Sequence, residues 1–180
     1  MDKDLFNIEI GKNFPEIVNV IIEIPKASHN KYEFDKERGV FRLDRVLYSP
    51  VHYPADYGFI PQTVADDGDP LDVLVIGDDP LFVGCLLEAR PIGLLEMVDD
   101  SENDRKVLAV QQANPRFNVL TTLESLKDLD PHLLDEIANF FEVYKKLEGK
   151  KTIIKGWNNE LEAKKEIEKA FKAYRNTIKN

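Results

Sequence analysis

The sequence is poor in cysteine and contains no long apolar run. Its one cysteine, Cys85, excludes an internal disulfide and a cysteine-rich zinc site, and its place in the apolar stretch Leu81–Leu87 predicts a buried side chain. No window reaches the roughly 18 apolar residues of a membrane span, so we expect no membrane association. The acidic N-terminus, Met1–Asp4, lacks the following apolar core of a secretory signal. We therefore expect a cytoplasmic protein.

Positive charge is also scarce in this chain. Its 180 residues include 24 lysines and arginines against 33 aspartates and glutamates, which gives a formal net charge of −9. Because nucleic-acid binding requires a basic surface that displaces counterions, the composition argues against a nucleic-acid partner. So acidic a protein could still accept an anionic substrate if clustered carboxylates held metal ions, which would make the site locally positive.

The length and composition fit one folded domain, which we expect to span residues 1–180. Short segments rich in β-branched residues lie between prolines, glycines and aspartates, a pattern that favours a closed or partly closed barrel over an open parallel sheet. The strands predicted in this way are Ile17–Ile24, Tyr32–Phe34, Val40–Leu47, Leu71–Ile76, Leu86–Met97 and Lys106–Gln111.

Two helices are predicted in the last third of the chain. Apolar residues recur at helical spacing over 133–147, with Asp130 and Pro131 at the start and Gly149 at the end. The second helix begins near Asn159, and Glu162 lies three residues later, as in a capping box. The predicted fold class is α+β, mainly β, with flanking helices of which two are C-terminal.

An acidic stretch, Asp67–Asp72, places three carboxylates in six residues directly before an apolar strand. Unpaired like charges are costly beside a buried strand, so a cation is expected there. Mg²⁺ is the simplest candidate, because it takes oxygen ligands and shares them with water and a phosphate-bearing substrate. A second acidic stretch, Asp99–Asp104, is by itself typical of a solvated hairpin tip. The two stretches would form one metal site if they met at the same end of the barrel.

Two basic residues have alternative interpretations. Arg45 shares strand parity with Phe41 and Leu43, so a guanidinium lies on a largely apolar face and needs either a phosphate or a core carboxylate such as Glu33. Lys145 adjoins the apolar stripe of the first helix, where it either serves a site or extends to solvent.

Taken together, these residues resemble the soluble family I inorganic pyrophosphatases. The family signature, Asp-x-Asp-Pro-x-Asp before apolar residues, is present as Asp67-Gly68-Asp69-Pro70-Leu71-Asp72. The resemblance spans roughly residues 15–175, and an ordered set of matching segments is more specific than any one motif. The other matching segments are Ile22-Glu23-Ile24-Pro25, Lys31-Tyr32-Glu33, Leu43-Asp44-Arg45, Tyr53-Pro54-Ala55-Asp56-Tyr57-Gly58, Arg90-Pro91-Ile92-Gly93, Asp99 with Asp104 and Lys106, Phe140-Phe141 with Tyr144-Lys145, and Gly156-Trp157.

The resemblance implies Mg²⁺-dependent hydrolysis of pyrophosphate to two orthophosphates. A water or hydroxide that bridges metal ions would attack in line, Asp69 would accept its proton, and no phosphoenzyme would form. Several Mg²⁺ ions would bind at each site; other divalent ions are possible, and Ca²⁺ would inhibit. The implied metal ligands are Glu23, Asp67, Asp72, Asp99 and Asp104. The implied phosphate-binding residues are Lys31, Arg45, Tyr57, Lys106, Tyr144 and Lys145, with Glu33 orienting the cations.

The resemblance also implies a five-stranded barrel of the oligonucleotide/oligosaccharide-binding (OB) type and a homohexamer. Two other functions stay open from the sequence. One is an OB barrel that binds without catalysis, which requires a basic groove with exposed aromatic residues. The other is a phosphohydrolase of organic phosphates or nucleotides, which would use the same metals and a pocket for a base.

Overall fold

The computed structural model describes residues 4–178; residues 1–3, part of the segment behind the expectation of no secretory signal, lie outside this range. The strands in the described range are β1 (Val18–Ile24), β2 (Asn30–Asp35), β3 (Val40–Val46), β4 (Asp56–Phe59), β5 (Asp72–Ile76), β6 (Leu86–Asp99), β7 (Glu102–Gln111) and β8 (Thr152–Asn159). The α-helices are α1 (Leu123–Leu129), α2 (Leu133–Val143) and α3 (Glu160–Thr177). None of the helices described is long and apolar enough to cross a membrane.

Five of the strands form a closed barrel. They neighbour one another in the order β1-β4-β5-β7-β6, and antiparallel pairing of β6 with β1 closes the ring, with Val18 opposite Ala89. The long strand β6 also pairs with β8, which extends the sheet beyond the ring, while β2 and β3 form a separate hairpin. The predicted α+β, mainly β fold is therefore confirmed: a five-stranded closed barrel with flanking helices, two of them C-terminal.

The barrel strands are covered on both faces. Side chains alternate between the faces of a strand. Val73 of β5 and Val107 of β7 pack with Ile167 of α3 in one core cluster, whereas their neighbours Leu74 and Leu108 pack in a second cluster with α1 and α2. Residues of β5 and β7 with the parity of Leu74 and Leu108 therefore point away from α3.

The boundaries of the C-terminal helices agree with the predictions only in part. After α2, a 3-10 helix continues to Glu148, and Gly149 then adopts a left-handed conformation with φ +75°. The side chain of Asn159 caps α3 by accepting a hydrogen bond from the backbone nitrogen of Glu162 at 3.2 Å. Asn159 therefore begins α3 as predicted. The first helix differs from its prediction: α2 ends at Val143, before the 3-10 helix that Gly149 terminates, and its N-cap is His132, because Asp130 instead lies at the C-terminal cap of α1.

Other predictions were wrong or incomplete. The last third of the chain is not purely helical, because β8 lies between α2 and α3. The alternation of side chains along β8 is interrupted by a register shift against β6 and by Gly156, which has φ +140°. Strand β4, with only four residues, and the seven-residue helix α1 were not predicted. Cys85 is half-buried instead of buried.

Candidate active site

A polar cavity of about 360 Å³ opens where β5 and β7 begin. These strands run parallel, with Val73 opposite Val107, so Asp72 and Lys106 are neighbours at the same end of the barrel. The β6–β7 hairpin brings Asp99 to that end as well. The cavity lining includes every predicted site residue except Arg45: Glu23, Lys31, Glu33, Tyr57, Asp67, Asp69, Asp72, Asp99, Asp104, Lys106, Tyr144 and Lys145.

Lys106 lies between two carboxylates in this cavity. Its Nζ atom binds Asp72 and lies 2.7 Å from Oδ1 of Asp104, and its side chain is 6% exposed. Burial alone would lower the pKa of Lys106, but the charges of the two aspartates outweigh burial and raise that pKa. The lysine is therefore a buried cation that keeps the two aspartates from repelling each other.

The residues that directly follow α2 supply a second basic group. The hydroxyl of Tyr144 donates a hydrogen bond to Oδ2 of Asp99 at 3.3 Å, and Lys145 binds the same oxygen. The side chain of Lys145 is only 15% exposed, so it serves the cavity instead of extending to solvent. Burial raises the pKa of Tyr144 above its usual range, which keeps the hydroxyl protonated and able to donate.

Strands β1 and β2 form another wall of the cavity. Oε1 of Glu23 accepts a hydrogen bond from the backbone nitrogen of Phe34 at 2.8 Å, and burial raises the pKa of Glu23 to about 8. On β2, Lys31 binds Glu33 and lies 3.5 Å from Oδ2 of Asp44. The half-buried carboxyl group of Glu23 is therefore costly to ionise without a cation beside it.

The loop before β5 holds Asp69 between two other aspartates. Gly68 has φ +91°, in the left-handed region that favours glycine, and the backbone nitrogen of Asp69 donates to Oδ1 of Asp67 at 3.0 Å. Burial, followed by the charges of Asp67 and Asp72, raises the pKa of Asp69. A raised pKa makes this carboxylate a better proton acceptor than an ordinary aspartate.

Arg45 is held outside the cavity. Its Nη1 atom lies 2.7 Å from Oδ2 of Asp44, and its Nε atom lies 3.2 Å from Oε1 of Glu148. The carboxylates that contact Arg45 are thus Asp44 and Glu148 instead of Glu33. The face of β3 that carries Arg45 is also less buried than expected, because Leu43 on that face is 51% exposed. Burial would lower the pKa of Arg45, but the neighbouring carboxylates raise it.

The donor set of the cavity fits Mg²⁺. All of the candidate ligands are carboxylates, whose oxygens this ion prefers. Burial, together with the charge of Asp72, raises the pKa of Asp104, as expected of crowded carboxyl groups. No group of three histidine, cysteine, aspartate or glutamate side chains within residues 4–178 forms a ready-made metal cluster. Mg²⁺ does not require one, because it commonly uses one or two carboxylates together with water and substrate phosphates.

Sequence reasoning missed one residue that orders the site, Glu148. It lies 103 positions after Arg45, and its only local signal is a charge next to the helix-ending Gly149. The sequence marks Asp44 only as part of a matching segment, whereas in the structure it contacts both Lys31 and Arg45.

Comparison with known proteins identifies the family of the chain. The sequence model of the inorganic pyrophosphatase family matches residues 20–175. The chain belongs to the inorganic pyrophosphatase family. It is 53% identical over 161 residues to the inorganic pyrophosphatase of a Nostoc species. The aligned residues make up 89% of this chain and 94% of the relative. The Synechocystis inorganic pyrophosphatase is 58% identical over 143 residues, 79% of this chain and 83% of the relative.

Solved structures of inorganic pyrophosphatases have the same fold. The crystal structure of the Thermus thermophilus enzyme superposes with a TM-score of 0.91 at 39% identity, over 96% of this chain and 99% of the other. The family resemblance and the enzyme class predicted from the sequence, inorganic diphosphatase, are confirmed. The chemical roles of the individual site residues stay predictions.

Proposed function

We propose that this protein hydrolyses inorganic pyrophosphate to two orthophosphates in a Mg²⁺-dependent reaction. The observation that carries the proposal is the cavity at the start of β5 and β7, where carboxylates that suit metal ions alternate with lysines and tyrosines that suit phosphate oxygens. Relatives that match most of this chain are named inorganic pyrophosphatases, which supports the choice of substrate.

The carboxylates would hold several Mg²⁺ ions. The residues proposed as ligands are Glu23, Asp67, Asp72, Asp99 and Asp104. When bound, such ions neutralise charge on phosphate oxygens and lower the pKa of water in the site. The raised pKa values of Glu23 and Asp104 are consistent with this role, because both carboxyl groups lie where an added positive charge would favour their ionised form.

Asp69 is the proposed proton acceptor. Its raised pKa suits it to take a proton from the attacking water while neighbouring aspartates serve as ligands. Among the described residues that line the cavity there is no serine, cysteine or histidine, so a phosphoenzyme would have to form on a carboxylate. Because the proposal assigns these carboxylates to the metal ions, to the proton or to orienting Lys31, direct in-line attack by water accounts for the reaction without a phosphoenzyme.

The basic residues and tyrosines would grip the two phosphates. Lys31, Lys106 and Lys145 act as point charges, and Tyr57 and Tyr144 donate as neutral hydroxyls because burial raises the pKa of each. Glu33 orients Lys31 from the same strand.

Arg45 is also proposed to bind phosphate, but only after a rearrangement. Its guanidinium would have to exchange Asp44 or Glu148 for a substrate oxygen, because both carboxylates hold it outside the cavity.

The test is an assay of orthophosphate release from pyrophosphate and, in parallel, from ATP, each with Mg²⁺ present. We expect rapid release from pyrophosphate and little from ATP. A protein that released phosphate mainly from ATP would be a nucleotide phosphohydrolase, and one that released none from either substrate would refute the proposal.

We also propose that the protein is a cytoplasmic homohexamer with no nucleic-acid or membrane partner. The family resemblance supports the proposed hexamer. The net charge of −9 opposes binding to polyanions such as nucleic acids. Sedimentation velocity is expected to give six times the 20.7 kDa mass of one chain. A mass of one chain at micromolar concentration would contradict the proposed assembly.

A further inference from the structure

Arg105 lies directly between two site residues in sequence but points away from their cavity. Asp104 and Lys106 line the main cavity, and Arg105, of opposite strand parity, does not. Arg105 instead lines a small second cavity together with Glu166 of α3. Other walls of this second cavity are formed by three aspartates that also line the main one, Asp67, Asp72 and Asp104. The stretch Asp67–Asp72, called the acidic loop below, therefore separates the two cavities together with Asp104. Arg105 and Glu166 lie on the side of this loop that faces away from the main cavity.

The guanidinium of Arg105 contacts three elements at once. Its Nη1 atom lies 2.8 Å from Oε2 of Glu166 and 3.8 Å from Oδ2 of Asp66, the residue that precedes the acidic loop. Its Nε atom lies 3.4 Å from Oε1 of Glu96 on β6. The side chain of Glu166 is only 11% exposed. Arg105 thus connects β7 to β6, to α3 and to the start of the loop.

Lys169 closes this set of contacts into a network. Its Nζ atom lies 2.7 Å from Oδ1 of Asp66 and 3.1 Å from Oε1 of Glu166. Just before the loop, the backbone nitrogen of Val64 donates to the carbonyl oxygen of Ala170 at 3.0 Å. Networks of several charges with a shared, partly buried member hold geometry better than isolated surface ion pairs, which contribute little.

We propose that Arg105 and Glu166 are positioning residues for Mg²⁺ binding. By holding the start of the acidic loop against β7 and α3, they fix the spacing of Asp67 and Asp72 from Asp104. The inference rests on the proposed function, because it assigns these aspartates to the metal. Groups that orient metal ligands from behind commonly change metal affinity by about 10- to 100-fold when they are removed.

The sign of the effect separates this role from simple electrostatics. Arg105 is a cation near the proposed ligands, so its charge alone opposes Mg²⁺ binding, and removing that charge would strengthen binding. Positioning predicts the reverse, namely that loss of Arg105 weakens binding because the loop loses its anchor.

The experiment is calorimetric titration of the full-length protein with Mg²⁺ alone, without pyrophosphate. Wild type is compared with R105M, E166Q and the double variant, with thermal unfolding checked for each. We expect each single variant to bind Mg²⁺ about tenfold more weakly, and the double variant to be no weaker than either, since the two residues act as one unit. R105K is expected to recover part of the loss, because it keeps the charge without the planar fork.

The matched control is R116M, which removes an arginine paired with Asp78 at 2.9 Å outside the main cavity. It should bind Mg²⁺ as wild type does. Unchanged or tighter binding in R105M would overturn the inference, as would additive losses in the double variant. A fall in melting temperature in R105M with unchanged Mg²⁺ affinity would show a purely structural role. Failure of wild type to bind Mg²⁺ would instead refute the proposed function.

Discussion

At the residue scale, Lys106 has two roles, as a structural counter-ion and as a proposed phosphate ligand. Replacing it with methionine leaves Asp72 and Asp104 facing each other without the cation between them. We expect K106M to lose about 3 kcal/mol of unfolding free energy in urea with EDTA present, as when one partner of a buried pair is removed. The control is K155M, at an exposed position. A loss no larger than that of K155M would show that Lys106 does not hold the aspartates together.

Asp69 and Asp72 are expected to differ in what their loss removes. In D69N, kcat for pyrophosphate should fall by about 100-fold or more, because a proton acceptor is lost. Mg²⁺ affinity measured by calorimetry should be retained, since Asp69 is not a proposed ligand. In D72N, the activity on pyrophosphate and the Mg²⁺ affinity should both be lost. If D69N kept most of its activity, or if it lost Mg²⁺ binding as D72N does, the assigned division of roles would be wrong.

The residues of the cavity could largely be found from the sequence, whereas their contacts could not. Three carboxylates before a buried strand are a local pattern, so the sequence alone marks Asp67–Asp72 as a candidate cation site. The neighbours of Arg45 depend on a hairpin and on Glu148, 103 residues away, and no local pattern records that pairing. The network of Arg105 was missed for the same reason, because it joins β7 to the distant helix α3.

At the scale of elements, the close approach of β4 to β1 depends on Gly58. A Cβ atom at this position would lie 1.9 Å from the carbonyl oxygen of Ile21, so the two strands would have to separate. We expect G58A to lose at least about 3 kcal/mol in urea unfolding, at the upper end of the cost of overpacking. G39A is the comparison: it has open space around the added methyl group but a φ of +65°, so only backbone strain is expected. A G58A loss no greater than that of G39A would contradict the close approach.

The same scale shows why some elements were predicted and others were not. Strands β5 and β7 carry continuous apolar runs because both of their faces are covered, by α3 on one side and by α1 and α2 on the other. Strand β4 is too short for a periodic signal, and β8 joins the sheet beyond the ring with an interrupted alternation. Tertiary pairing, not local sequence pattern, makes these two segments strands.

At the scale of the whole molecule, the net charge of −9 is concentrated in part around one cavity. Mg²⁺ bound there should stabilise the folded chain, because the unfolded chain does not bring the ligands together. At 100 times the dissociation constant, a single site stabilises by about 2.7 kcal/mol. For a chain of this size, the melting temperature should rise by about 5–10 °C. Differential scanning calorimetry with EDTA or with Mg²⁺ measures the rise; equal melting temperatures would argue against a metal site.

The central claim is that this cavity hydrolyses pyrophosphate with Mg²⁺, and the most direct measurement is orthophosphate release under three metal conditions. The protein is assayed with Mg²⁺ removed by chelation, with Mg²⁺ restored, and with Ca²⁺ in its place. We expect no release without the metal, full release on restoration, and inhibition by Ca²⁺, whose looser coordination misplaces the reacting groups. Release that continued unchanged in the chelator, or no release after Mg²⁺ was restored, would contradict the account.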